Sequence, residues 1–171
     1  MKFTRTTIIA AVGAAALVSA VFLGLSAPIP TRVPDVAITT INGERLTAAD
    51  LRGKVVLVNF WATSCATCVK EMPKLVETYR KHRDRGFETI AVAMSYDPPN
   101  YVLHYAAKNA LPFKVALDPV GEAARAFGDV TLTPTTFVVD RRGTIVKRYL
   151  GEPDFAELDR LIEAKLTAAA P

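Results

Sequence analysis

The stretch Val55-Val56-Leu57-Val58-Asn59-Phe60-Trp61-Ala62-Thr63-Ser64-Cys65-Ala66-Thr67-Cys68 decides the fold of this chain. Its first half is apolar at nearly every position, the pattern of a strand covered on both faces in the middle of an α/β sheet. Its end carries the only two cysteines of the sequence, spaced Cys-x-x-Cys. A strand that stops just before the first thiol delivers it to the start of the next helix. Unpaired N–H groups and the helix dipole favour an anion there, and the anion would be the Cys65 thiolate. Residues i and i+3 of a helix are close enough for a disulfide without large backbone movement. Both oxidation states are accessible, so the pair reads as a reversible redox couple.

Downstream, Val69, Met72, Val76 and Tyr79 recur at helical spacing, which predicts a helix from Cys65 to about Arg85 with that face on the sheet. Gly86 stops it and Pro73 is expected to kink it. The cluster Lys81-His82-Arg83-Asp84-Arg85 reads as its solvated cationic end. Residues 87–94 form the next buried strand, and Pro98-Pro99 opens a helix to about Asn109. A short strand at 115–117, a brief helix at 122–127 and strands at 136–139 and 144–150 follow, the last two joined by Asp140-Arg141-Arg142-Gly143. Residues 154–166 close the chain as an amphipathic helix with Phe155, Leu158, Leu161, Ile162 and Leu166 inward. Upstream, residues 36–40 read as a strand, Asn42-Gly43 as a hairpin turn, and residues 46–51 as a turn of helix ending at Gly53.

Lys2 and Arg5 precede a stretch without charge, residues 8–27. Twenty helical residues span roughly 30 Å, enough for a bilayer core, so residues 1–27 read as a signal anchor or a signal peptide. Length and a weak cleavage signal favour retention as an anchor, with Lys2 and Arg5 cytoplasmic and the domain across the membrane. Pro28, Pro30 and Pro34 make residues 28–34 a stiff linker, and residues 35–171 the folded domain. Without Lys2 and Arg5 the net charge falls from +4 to +2, too balanced for nucleic acid. A lone cysteine pair is no disulfide scaffold. Zinc needs two further ligands, and the chain offers only His82 and His104, so no metal is expected.

The stretch from Gly53 to Cys68, with Glu71-Met72-Pro73, resembles the membrane-anchored TlpA/ResA-type thioredoxins. So does Thr133-Pro134-Thr135-Thr136-Phe137-Val138-Val139-Asp140, followed by Gly143 and Gly151. The resemblance implies a thioredoxin-like α/β fold: a central mixed sheet with helices on both faces and an extra N-terminal β-hairpin. It implies a thiol-disulfide oxidoreductase in which Cys65 attacks and Cys68 resolves the mixed disulfide. Chemistry supports that order, because helix-start thiols have pKa values lowered to about 3.5 to 7.5 and the second thiol is better shielded. Pro134 matches the family's cis-proline, so Thr133 and Pro134 are expected to shape a substrate groove with Trp61, Ala66 and Thr67.

Ser64 stands where the family often has a second tryptophan, and Ala66-Thr67 replaces its usual proline-containing pair. Asn59 occupies the place of a buried proton-handling aspartate in thioredoxin itself. An amide cannot titrate, which leaves Glu71, one turn beyond Cys68, and Asp97 as candidates for proton handling. No cofactor beyond the redox disulfide is implied. The implied partners are disulfide-bearing clients, apocytochrome c among them, and a membrane thiol electron donor. The implied location is the bacterial inner membrane with the domain in the periplasm, or the soluble periplasm if the leader is cleaved. The competing readings are a copper metallochaperone and a redox-sensing binding module of the same fold.

Overall fold

The computed structural model describes residues 30–168, so the uncharged stretch 8–27 lies outside the described residues. Strand β3 (Val55–Trp61) is buried at all seven positions, as its uninterrupted apolar character requires. It lies inside a seven-stranded sheet with β1 (Ile38–Thr40), β2 (Arg45–Leu46), β4 (Phe87–Ala93), β5 (Lys114–Leu117), β6 (Thr135–Val139) and β7 (Ile145–Leu150). The order is β2-β1-β5-β4-β3-β6-β7. Strands β3, β4 and β5 are parallel, while β6 and β7 on one side and β1 and β2 on the other are added by antiparallel pairings. This is the expected thioredoxin-like mixed sheet with its N-terminal hairpin.

Side chains alternate along β3 and so feed two cores. Val55, Leu57 and Trp61 face helices α1 (Ala66–His82), α2 (Pro99–Lys108) and α4 (Phe155–Thr167), through Cys68, Met72, Leu75, Val102, Leu158 and Ile162. Val56, Val58 and Phe60 face the hairpin and the short helix α3 (Glu122–Ala126). There Phe60, Phe127 and Phe137 pack with ring centroids 5.1 to 6.0 Å apart. Asn59 is the one polar residue of β3, and by alternation it points toward α1.

Helix α1 carries Pro73 in its interior with the ring exposed, and a 3₁₀ turn, Arg83–Arg85, finishes it before Gly86. Three sequence expectations change. The buried stripe of α1 is Cys68, Glu71, Met72, Leu75, Thr78 and His82, while Val69, Val76 and Tyr79 lie half-buried at its border. His82 is no part of a solvated end: it is fully buried, with Nε2 2.7 Å from Asp159 Oδ1 of α4 and its ring edge-on to Phe87. Lys81 and Arg85 do reach solvent, paired with Asp159 and Glu163. Residues 46–51 are not a helical turn, because Leu46 pairs with Ile38 in the hairpin and plain turns lead from it to Gly53.

The proline-rich stretch is also shorter as a spacer than its composition suggests. Arg32 bridges Thr144, Val33 N–H donates to Gly143 O, and Ile145 N–H donates to Thr31 O. The chain therefore joins the domain from Thr31, ahead of Asp35. Among the described residues no helix is long and apolar enough to cross a membrane.

Candidate active site

Strand β3 ends at Trp61, and the next four residues turn the chain into α1 with Cys65 as its N-cap. Cys65 and Cys68 are joined as a disulfide with Cα atoms 5.2 Å apart. Cys65 is half-buried and Cys68 has no exposed surface, so only one of the two sulfurs can be reached by a large substrate. Cys68 N–H donates to Cys65 Sγ at 3.2 Å, and the first turn of α1 holds no acidic residue. One orphan helix-start donor thus already points at the sulfur that would carry the charge on reduction.

Beneath the pair lies a buried polar chain. Asn59 Nδ2 donates to Glu71 Oε1 at 3.0 Å and to Thr136 Oγ1 of β6 at 2.9 Å. Glu71 is fully buried one turn after Cys68, on the same stripe of α1, and its Oε2 has no hydrogen-bond partner among the described residues. Burial lifts the Glu71 carboxyl to about 7, assisted by the charge of Glu152 and opposed by the Asn59 hydrogen bond and Lys74. A carboxylate with one oxygen undonated is poorly solvated, which is the physical content of that rise.

Asp97, the other expected proton handler, is held differently. Its two oxygens accept from Thr63 N–H and Thr63 Oγ, each at 2.6 Å. It braces the loop between Trp61 and Cys65 against the end of β4. Asp97→Ala leaves the Thr63 amide unpaired and is expected to destabilise the oxidised protein by about 2 kcal/mol, read as a lower urea midpoint at unchanged m-value. An unchanged midpoint would contradict the brace.

The Thr133-Pro134 peptide is cis. Thr135 pairs with Phe60, which brings Pro134 beside the end of β3, and Gly151 N–H donates to Pro134 O at 2.8 Å. Ala66 and Thr67 are exposed on the first turn of α1. Trp61 does not line this surface: its ring is fully buried and packs on Tyr105 at 5.2 Å, because β3 points it into the α1 core. Tyr96, which nothing in the sequence singled out, is 56% exposed and its hydroxyl lies 3.1 Å from Thr133 Oγ1. Leu132, which precedes Thr133 in the chain, is 60% exposed.

Residues 30–162 match the Redoxin family. The chain belongs to that family. It is 32% identical over 130 residues to the thiol-disulfide oxidoreductase ResA of Bacillus thuringiensis subsp. konkukian, covering 76% of this chain and 74% of the relative. It also superposes on a thiol:disulfide interchange protein of the thioredoxin family from Chlorobium tepidum, with TM-score 0.72 and 30% identity over 80% of this chain and 97% of the other. MTB dsbF, solved in mixed oxidized and reduced forms, aligns with TM-score 0.71 and 26% identity over 82% of this chain and all of its own. This Redoxin chain is thus a thiol-disulfide oxidoreductase of thioredoxin fold with Cys65 and Cys68 as its Cys-x-x-Cys pair.

Within that Redoxin frame, Asn59 had a sequence signal, a lone amide in an apolar strand, and Glu71 had one in its place a turn beyond Cys68, but Thr136, the other partner of Asn59, did not. Tyr96 had none, since its loop meets Thr133 only through the packing of β4 and β6 against β3.

Proposed function

We propose that this protein reduces the disulfides of client proteins outside the cytoplasm, held to a membrane by residues 8–27. The observation that carries the reading is the asymmetry of the pair, a reachable Cys65 at a helix start and a sealed Cys68 behind it. In the reduced protein the Cys65 thiolate attacks one sulfur of the client disulfide, and the other client sulfur leaves as a thiolate that takes up a proton. Cys68, once deprotonated, attacks Cys65 Sγ of the mixed disulfide. The second client thiolate departs and Cys65–Cys68 closes as the disulfide, so two electrons pass from the pair to the client.

Glu71 is placed to take the Cys68 proton, being buried on the same stripe and titrating near neutrality. Ala66, Thr67, Thr133 and Pro134, with Tyr96 and Leu132, form the surface that receives the client. Regeneration requires a dithiol donor on the same side of the membrane, for which a membrane thiol transporter is the class the family resemblance suggests. The same resemblance suggests cytochrome c maturation as the setting and apocytochrome c as a client.

The test is a trap. Cys68→Ser, expressed in the native host and alkylated on lysis, is expected to carry a discrete set of client adducts on non-reducing gels. Reductant should release them, and the Cys65→Ser/Cys68→Ser chain should lack them. A Cys68→Ser chain without adducts would count against client reduction.

A further inference from the structure

The end of the domain opposite the cysteines carries a basic depression that disulfide chemistry does not use. Arg32, Arg52 and Arg142 line it with Asp35, Ala48 and Gly143. All three arginines are exposed, and the Arg32 guanidinium donates to Arg142 O at 3.3 Å. Gly53 N–H donates to Arg141 O, which ties the loop of Arg52 to the turn of Arg142. Several surface cations are paired, Lys70 and Lys74 with Glu152, Lys81 with Asp159, Arg85 with Glu163, Lys114 with Glu44 and Lys147 with Glu157, while Arg45, Lys54, Arg80, Lys108 and Arg160 stand singly in solvent; this hollow differs in gathering three arginines in one place. Among the described residues, Arg32, Arg52 and Arg142 have no carboxylate within 4.0 Å. Three arginines lining one hollow, against the single carboxylate of Asp35, suit a phosphate, whose oxygens guanidinium groups can engage as planar forks.

The position of the chain says which phosphate. The candidate anchor, residues 8–27, ends five residues before Arg32, a reach of at most about 18 Å. Strand β3 starts just after Arg52 and leads away from this pole, so Trp61 lies about 20 Å from it and Cys65 beyond. We propose that the Arg32–Arg52–Arg142 depression binds the phosphate headgroups of anionic phospholipids and stands the domain on the bilayer with its cysteines directed away. The inference rests on the anchor reading above. It makes Cys65 available to clients in the surrounding compartment, and it requires a membrane donor to present its dithiol well above the headgroups.

The full chain reconstituted into nanodiscs of phosphatidylcholine alone, or with phosphatidylglycerol added, tests this by amide hydrogen exchange. Each arginine near an anionic surface is worth about fivefold in attraction, so the amides of residues 140–144 and 47–53 are expected to exchange at least about fivefold more slowly in the anionic discs. The slowing should vanish in Arg52→Gln/Arg142→Gln and at about 0.5 M salt, with residues 62–68 unaffected throughout. Equal exchange in both discs, or slowing that survives the substitutions, overturns the inference and leaves the anchor standing. A chain that enters neither disc overturns the anchor itself, and the inference with it.

Discussion

Cys65→Ser lowers the rate of insulin disulfide reduction by at least about a thousandfold, because it removes the only sulfur from which exchange can start. Cys68 cannot substitute, having no exposed surface beneath the first turn of α1. Cys68→Ser is expected to behave differently: its first encounter with a disulfide proceeds at close to the normal rate, and turnover then stops at the mixed disulfide. A single-turnover assay that counts released client thiol separates the two variants. Insulin reduction that survives Cys65→Ser, or two variants with the same kinetic signature, would contradict the assigned order.

Glu71→Gln changes the pH dependence of stability more than its value at any one pH. Below about pH 4.5 the folded and unfolded chains both hold the Glu71 proton, so the group adds no pH dependence. Between about 4.5 and about 7 the unfolded chain has released the proton while the folded chain keeps it. The folded state then binds more protons, and stability falls as pH rises, the loss being complete above about 7. A shift of that size corresponds to about 3 kcal/mol. The oxidised wild type should therefore lose about 3 kcal/mol more than the Gln variant between pH 4 and pH 8, measured by denaturant unfolding. Glutamine keeps an oxygen for the Asn59 amide but cannot accept a proton, so closure of the Cys65–Cys68 disulfide from the mixed disulfide should slow by at least about tenfold at neutral pH. Parallel pH profiles for the two proteins would remove Glu71 from the proton pathway.

The parts of the fold that could be read from the sequence are those where local pattern and tertiary role coincide. The continuous apolar run of β3 has one reading, a covered strand, and the cysteines after it have one place to go, a helix start. Met72 was read correctly as inward, but Val69, Val76 and Tyr79 shifted the inner face of α1 toward its border, because the true stripe includes Glu71 and His82, which hydrophobic periodicity counts as outward. Each is buried only because a distant residue satisfies it, Asn59 for Glu71 and Asp159 for His82. Leu46 looked helical because its pairing with Ile38 is not local. Trp61, adjacent to the cysteines in sequence, was expected at the groove, yet strand alternation sends it into the core. Asp97 was expected to move protons and instead spends both oxygens on Thr63.

The claim at the centre of the account is that Cys65 and Cys68 form a reducing couple, and their reduction potential tests it most directly. Equilibrating the protein across glutathione and dithiothreitol buffers, then trapping free thiols by alkylation, should give one two-electron transition well below about −200 mV. A value near −120 mV, the range of a strong disulfide donor, would contradict it.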